Sequence, residues 1–534
     1  MSSLSRINAG PWVRLIGALA LLPMACGGQH PTRTVPTQWA PDSATVRRAA
    51  GPEYDRGTVW RFFWGQHYRS IWATPVTAPV LHLATAVPGG MVPLQAGGSY
   101  QTRSLRLRAA GGQEYVLRSV DKDASAAFTA DWQRRLLGGL MKDQTSVAQP
   151  YGAYVAAQLA EAAGVYHTNP QLVYLPNDPA LGEFRAAYAN DLYLLEERPD
   201  GNQTAVASFG HSPAVHSTGV MLATVRQRPS AQVDPRAYLR ARLLDVWLGD
   251  WSRREDQWRW ASFTKGAQLT YRPIPRDRDQ AFFLFNDGFF TRIISWFVPK
   301  YQSFTARIRP GDIDDLTATA RALDRTLLGT LDGEDFRQVA DSMRLRLTDA
   351  AIARAFAAGP PETRASIAAY FEPLLRARRE QLPDVAQSYY QLLAQEAWVV
   401  GTDQAERFVL SEDSPGRLRV RMLSHRPNQA DSLLTERVYD RRETSSVHLY
   451  GLAGDDIFEF NTPNKSGVAV HIFEGGGRNQ LRSPSQSKAG TAGITWHSRP
   501  GGTTIIAKQG IKVKVDADTS ATTNARSWLT RYRL

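Results

Sequence analysis

The spacing of apolar residues along this chain changes period twice, and those changes confine it to one order of layers. Between residues 51 and 200 the apolar positions alternate in short runs broken by Gly and Pro. Residues 104–108 (SLRLR), the Gly111–Gly112 turn and residues 115–118 (YVLR) predict a β-hairpin. Residues 152–163 (GAYVAAQLAEAA) predict a helix stopped by Gly164, and residues 171–175 and 191–196 a further strand pair. From Pro235 the period is helical. Asp234-Pro235 caps a helix through Leu248, with Leu239, Leu243, Val246 and Trp247 on one face. Residues 335–347, 365–379 (kinked or broken at Pro373) and 384–399 continue in that style. At Thr402 short alternating strands return, among them 418–422 and 446–450. The order is a β-rich lobe, a helical lobe and a β domain, with no long repeat evident.

A chain of 534 residues with 43% hydrophobic and 10% aromatic content is globular and long enough for about three cores. Its formal net charge is +12, and only nine of its 63 cationic residues are lysine. The basic residues are scattered rather than gathered into a run. That disfavours nucleic acid as a partner and leaves anionic lipid, glycan or phosphate groups. Cys26 is the sole cysteine, so no intramolecular disulfide can form.

Arg6 and Arg14 precede a ten-residue apolar run, residues 15–24 (LIGALALLPM), and then Ala25-Cys26-Gly27-Gly28. That run is too short to span a bilayer but has the length of a signal-peptide core. The stretch looks like a bacterial lipoprotein signal. The resemblance implies removal of residues 1–25, acylation of Cys26, a tether over 26–50, and a lipid-anchored address in the cell envelope, with the outer membrane as the expected place. The alternative is an ordinary signal peptide cut after Ala25 or later. Several acyl chains would anchor stably where one would not.

Polar clusters fall at the ends of the expected elements: residues 118–122 (RSVDK), 196–199 (EERP), 249–257 (GDWSRREDQ) and 274–282 (IPRDRDQAF). Asp277 and Asp279 stand two apart. In an extended segment both carboxylates share one face, which suits Mg²⁺ or Mn²⁺ bridging phosphates. The same residues, alternating with Arg276 and Arg278, would also make a salt-bridged turn.

The order of these clusters resembles the atypical protein kinases of the CotH and HipA type, over roughly residues 60–300. It is also similar to the middle region of bacterial envelope proteins that join such a segment to a metallophosphoesterase and a β-barrel. The resemblance implies an α+β, two-lobed kinase-like fold: a β-rich N-lobe over 51–200, a helical C-lobe over 201–400, and a small β-rich domain over 401–534. It further implies ATP with Mg²⁺ or Mn²⁺ as cofactors. Asp277 and Asp279 would hold the metal with help from Gln257, Arg118 would stand at the site of the cofactor-binding strand lysine with Lys122 near, and Glu196 or Glu197 would meet the adenine side. Ser252 stands where the catalytic aspartate belongs, with Asp250 two residues before it, and Gln257 replaces Asn. A general base contributes about 10²–10⁴-fold, whereas metal and positioning dominate phosphoryl transfer. The expectation is a pseudokinase-like protein with impaired transfer. A non-catalytic scaffold bound to outer-membrane proteins or surface glycans is the alternative, and a hydrolase using Asp277, Asp279 and Glu255 a third reading.

Residues 451–458 (GLAGDDIF) resemble one nonapeptide of calcium-binding β-rolls, with 474–481 (EGGGRNQL) an eroded copy. Such rolls need stacked turns that share ligands. Two copies this far apart predict tight Gly-Asp turns in a β-sandwich or short solenoid instead. His82, His167, His211 and His216 make no zinc pattern, and Trp247, Trp251, Trp258 and Trp260 suggest core packing or a glycan-stacking surface.

Overall fold

The computed structural model describes residues 44–97, 103–122, 138–228, 230–426, 428–461, 464–482, 493–498, 503–505 and 511–515. Cys26 and the segments around it lie outside these. The fold class is α+β.

A two-stranded ribbon of β1 (Thr45–Ala49) and β2 (Pro75–Pro79) encloses helix α1 (Thr58–Trp64) in sequence. Next comes an antiparallel sheet of β3 (Met91–Gly97), β4 (Ser104–Ala109), β5 (Glu114–Ser119), β6 (Gln171–Leu175) and β7 (Asp191–Glu197), in the order β3-β4-β5-β7-β6. The expected hairpin is β4–β5, paired Leu105↔Leu117 and Leu107↔Tyr115. Period-two alternation splits the sheet between two cores. Val173, Leu175, Tyr193 and Leu195 pack with Leu105, Leu107 and Leu117. Leu172, Tyr174, Leu192 and Leu194 face the other way, toward α2 (Gly152–Ala163) and its Val155, Ala156, Leu159 and Ala160. Gly164 ends α2 in the left-handed region at φ 74°.

The helical lobe is built on α3 (Pro235–Leu248). Asp234 caps it by accepting from the Ala237 amide at 3.0 Å. Instead of burying one face, α3 is buried on every side from Ala241 to Leu248. A helix so placed must satisfy every polar side chain it carries. Beside it lies a small sheet of β8 (Ala214–Ser217), β9 (Ala231–Val233), β10 (Trp258–Lys265) and β11 (Gln268–Pro275), ordered β8-β10-β11-β9. Then follow α4 (Phe289–Phe297), α5 (Arg321–Leu328), α6 (Gly333–Arg346), α7 (Pro361–Glu380) and α8 (Leu382–Ala394). Trp247, Trp258 and Trp260 are fully buried, so they are core rather than surface rings.

Two local expectations fail. Helix α7 runs unbroken through Pro373, because Ile367, Phe371 and Leu375 bury one stripe on both sides of it. That burial offsets the lost hydrogen bond. The expected helix over 384–399 stops at Ala394, and residues 396–400 form strand β12 (Glu396–Val400). Its side chains alternate between cores: Ala397 and Val399 enter the β domain, Trp398 and Val400 the helical lobe. Parallel pairing with β16 (Ser446–Tyr450) overrides local helix propensity.

The β domain joins parallel solenoid rungs to an antiparallel ribbon of three strands over residues 406–440. One sheet stacks β12, β16, β18 (Ala469–Phe473), β20 (Ile494–Ser498) and β22 (Ile511–Val515), every pair parallel. The facing sheet runs β15 (Ser432–Asp440), β14 (Arg417–Ser424), β13 (Glu406–Ser414), β17 (Ile457–Phe460), β19 (Asn479–Arg482) and β21 (Thr503–Ile505). Phe408, Leu449, Phe458, Ile472 and Trp496 fill the space between. The expectation that the two glycine-rich segments do not stack is overturned. They are adjacent turns: Gly476 N donates to Leu452 O at 2.7 Å, and Asp456 N to Asn479 Oδ1 at 2.9 Å. The turns nest so tightly that a Cβ on Gly477, which sits at φ 84°, would lie 1.7 Å from Gly454 O.

Candidate functional site: a charged cleft between the lobes

The five-stranded sheet delivers its polar residues to one end. In the β5–β7 pairing Val116 opposes Glu196 and Arg118 opposes Leu194, so Arg118 and Glu196 share a face one step apart. The Arg118 Nε donates to Glu196 Oε1, and Thr168 Oγ1 donates to Glu196 Oε2 at 2.6 Å. Glu197 points the other way. Its carboxylate takes the Asn169 amide (3.0 Å) and the Asn169 side chain (3.2 Å). Past the end of β5, Tyr54 Oη donates to Asp121 at 2.5 Å, and the Lys122 amide bonds the same oxygen at 2.9 Å.

The opposite wall comes from the segment after β11. The Arg276 amide donates to Gln257 O at 2.8 Å, which sets the start of this segment beside the 255–257 turn. The segment is not extended: Asp277 sits in the left-handed region at φ 58°. Even so, the two carboxylates come together and face the sheet. Asp277 Oδ1 lies 3.6 Å from the Arg118 guanidinium, and Lys122 Nζ contacts Asp279 Oδ2 directly. Burial opposes the Asp277 charge, but Arg118, the hydrogen bond from Asp279 and Lys122 outweigh it and hold its pKa well below the usual range. Burial and the neighbouring Asp277 charge push Asp279 upward. Burial, with the Arg118 and Arg259 guanidinia close by, pushes Arg276 down to about 9. A small cleft of about 20 Å³ opens beside Arg118, Lys122 and Asp279, walled by Trp72, Val120, Ala148, Ala153 and Leu194.

The structure thus brings together Arg118, Lys122, Glu196, Asp277 and Asp279. The remaining candidates stand elsewhere. The Gln257 side chain is buried and accepts the Arg254 amide at 2.8 Å, closing its own turn. The Ser252 amide donates to Asp250 Oδ1 at 3.3 Å. Asp250 is fully buried and takes the Arg253 guanidinium at 2.6 Å; burial, despite Arg253, pushes its pKa up to about 6.

Beneath this loop lies a network that motif spacing does not reveal. Asp245, on α3, accepts from Arg242 (2.9 Å) and twice from Arg253 (2.9 and 3.1 Å), and lies 3.1 Å from Arg278. Arg242 also reaches Asp324 at 2.9 Å, which Tyr238 bonds at 2.7 Å. Arg242, Asp245, Asp250, Arg253 and Asp324 are all completely buried. A signal was present in the sequence: Arg242 and Asp245, three apart, fall among the apolar residues of the C-terminal half of the helix.

The donor set does not suit a resident divalent ion as it stands. Asp277 and Asp279 are matched by Arg118 and Lys122, so the charge that a cation would neutralise is already met. Among the described residues no group of three or more His, Cys, Asp or Glu is arranged to hold a metal.

No protein-family model and no curated protein matches the chain. Among solved structures it is similar to the crystal structure of a Helicobacter pylori proinflammatory kinase, CtkA. That likeness covers 56% of this chain and 95% of the other, at 10% identity and a TM-score of 0.27.

Proposed function

We propose that this is a lipid-anchored protein of the cell envelope whose kinase-like cleft takes a nucleotide's phosphates on Arg118, Lys122 and Arg276, with phosphoryl transfer impaired. One observation supports this most: Arg118 and Lys122 at the end of the sheet meet Asp277 and Asp279 across the cleft. The resemblance assigns these same four residues to metal and cofactor. A phosphate entering here would exchange carboxylate partners for phosphate oxygens on the same cations, a substitution of one anion for another. A metal carried with the nucleotide would have to displace Lys122 from Asp279. The resemblance puts Ser252 at the position of the base, and Asp250, two residues before it, is buried against Arg253.

Calorimetry of the full chain with ATP, with and without Mg²⁺ or Mn²⁺, tests this. Saturable binding lost in Arg118→Ala is expected. Asp277→Ala, which removes the anion competing for Arg118, should strengthen metal-free ATP binding several-fold. Loss of binding in Asp277→Ala would instead mark a metal-dependent site. Absence of binding under every condition would leave the alternative, a non-catalytic scaffold, and the neutral pairing of the cleft is what favours that second reading.

A further inference from the structure

Two short helices carry an exposed aromatic surface that the cleft does not use. On α1, Val59 and Phe62 are 68% and 65% exposed; on α4, Phe289, Trp296 and Phe297 are 50%, 72% and 50% exposed. Phe289, Ile293, Trp296 and Phe297 recur at the spacing of one helix stripe. The adjoining stripe of α4 is already occupied: Phe290 and Ile294 pack on Trp64, Phe63 and Leu140. The patch is continuous between helices, since the Phe62 and Phe289 rings stack at 6.5 Å.

The two helices are locked together, so the patch cannot be relieved by folding inward. A Cβ on Gly288 would sit 2.3 Å from the Gly65 nitrogen, which places the backbones in direct contact. The His67 amide donates to Asp287 Oδ2 at 2.6 Å, and His67 Nδ1 lies 2.6 Å from Asp287 Oδ1. Monomeric proteins seldom keep such a surface without a partner.

We infer that this face lies in the headgroup region of an anionic phospholipid bilayer, as a second attachment beside the acyl chains. Trp and Phe beside arginine are the residues that settle at that depth. Arg61 on α1 is paired with Asp55, whereas α4 (FFTRIISWF) carries Arg292 and no acid, and the chain as a whole is +12. The chain from Cys26 to the first described residue, Ala44, can reach at most about 60 Å when extended. A lipid on Cys26 therefore keeps Ala44, where the described fold begins, within that distance of the membrane. The inference rests on the lipid-anchor reading for its geometry, but the face binds without the lipid.

The test uses the full chain with Cys26→Ser, so that no acyl chain contributes. It is sedimented with vesicles of phosphatidylethanolamine and phosphatidylglycerol. Binding is expected, reduced at least tenfold by Trp296→Ser with Phe297→Ser, both exposed and outside the core. Failure of the Cys26→Ser chain to sediment, or equal sedimentation of the patch variant, overturns the inference. So does a patch variant that loses self-association in gel filtration while vesicle binding is unchanged, since that assigns the face to a second copy. The mass of the N-terminal peptide of the unaltered protein reports acylation separately, so failure of the anchor reading is distinguishable.

Discussion

Replacing Asp245 by Asn would test whether the charged groups under the loop are structural. The substitution keeps the shape of the side chain and removes its charge. Asp245 faces three guanidinia: Arg242 at 2.9 Å, Arg253 at 2.9 and 3.1 Å, and Arg278 at 3.1 Å. Arg242 would retain Asp324 and Arg253 would retain Asp250. Arg278, 6% exposed, has Asp245 as its ion-pair contact among the described residues, and the change leaves its charge buried and uncompensated. Removing one partner of such a buried pair costs about 3–5 kcal/mol. Against a total stability of roughly 5–15 kcal/mol, that is a large loss. Urea titration followed by tryptophan fluorescence reads it, because Trp247, Trp258 and Trp260 are buried in this core and Arg253 lies 5.5 Å over the Trp258 ring. In an Asp245→Leu, Arg253→Met double variant the loss should fall short of the sum of the singles, since the two groups are coupled. A loss below about 1 kcal/mol for Asp245→Asn would show that water reaches the network, and the structural reading of Asp250 and Arg253 would fail with it.

Two further outcomes are expected. Gly477→Ala forces a Cβ against Gly454 O at a backbone conformation L-residues avoid, and should cost at least about 2 kcal/mol, seen as faster proteolysis confined to the region after residue 440. His448 lies 3.8 Å from Glu396, but burial together with the His471, Arg325 and His497 charges lowers its pKa to about 4. A lowered histidine pKa disfavours the charged form in the folded state. Stability is therefore complete above about pH 6.5 and falls as pH drops toward 4, by at most roughly 3 kcal/mol from this residue. His448→Gln should flatten that part of the urea-midpoint profile between pH 7 and 4, and an unchanged profile would refute the assignment.

Elements whose stability is local were legible in the sequence. The β4–β5 hairpin, α2 with its Gly164 stop and α3 with its Asp234 cap follow from alternation, helical spacing and capping chemistry alone. The strand at residues 396–400 was not legible, because its partner Ser446–Tyr450 lies about fifty residues later and the preceding helix leads into it. The glycine-rich turns left a short solenoid beside a β-sandwich as the expected setting and could not decide between them, because the turns repeat as Gly451 on Glu474 with different residues at most positions, and what recurs is the backbone path. For the cleft, spacing identified Asp277 and Asp279 as a pair, but not that Arg118 and Lys122 would arrive from more than 150 residues away to neutralise them. The role of Asp245 is not legible in the sequence, because a buried charge on a helix is visible only once the helix is known to be surrounded.

Strand β12 belongs to two interiors at once, with alternate side chains in each. Every later strand of its sheet is laid parallel on the one before it. The helical lobe therefore supplies the template edge, and the β domain grows from that edge in one direction. Because each rung touches only its neighbours, shortening the chain from its end should shed rungs in order, with a graded loss of stability and the cleft intact. Cutting within β12 would strip both interiors together, so a single five-residue strand separates gradual erosion from collapse.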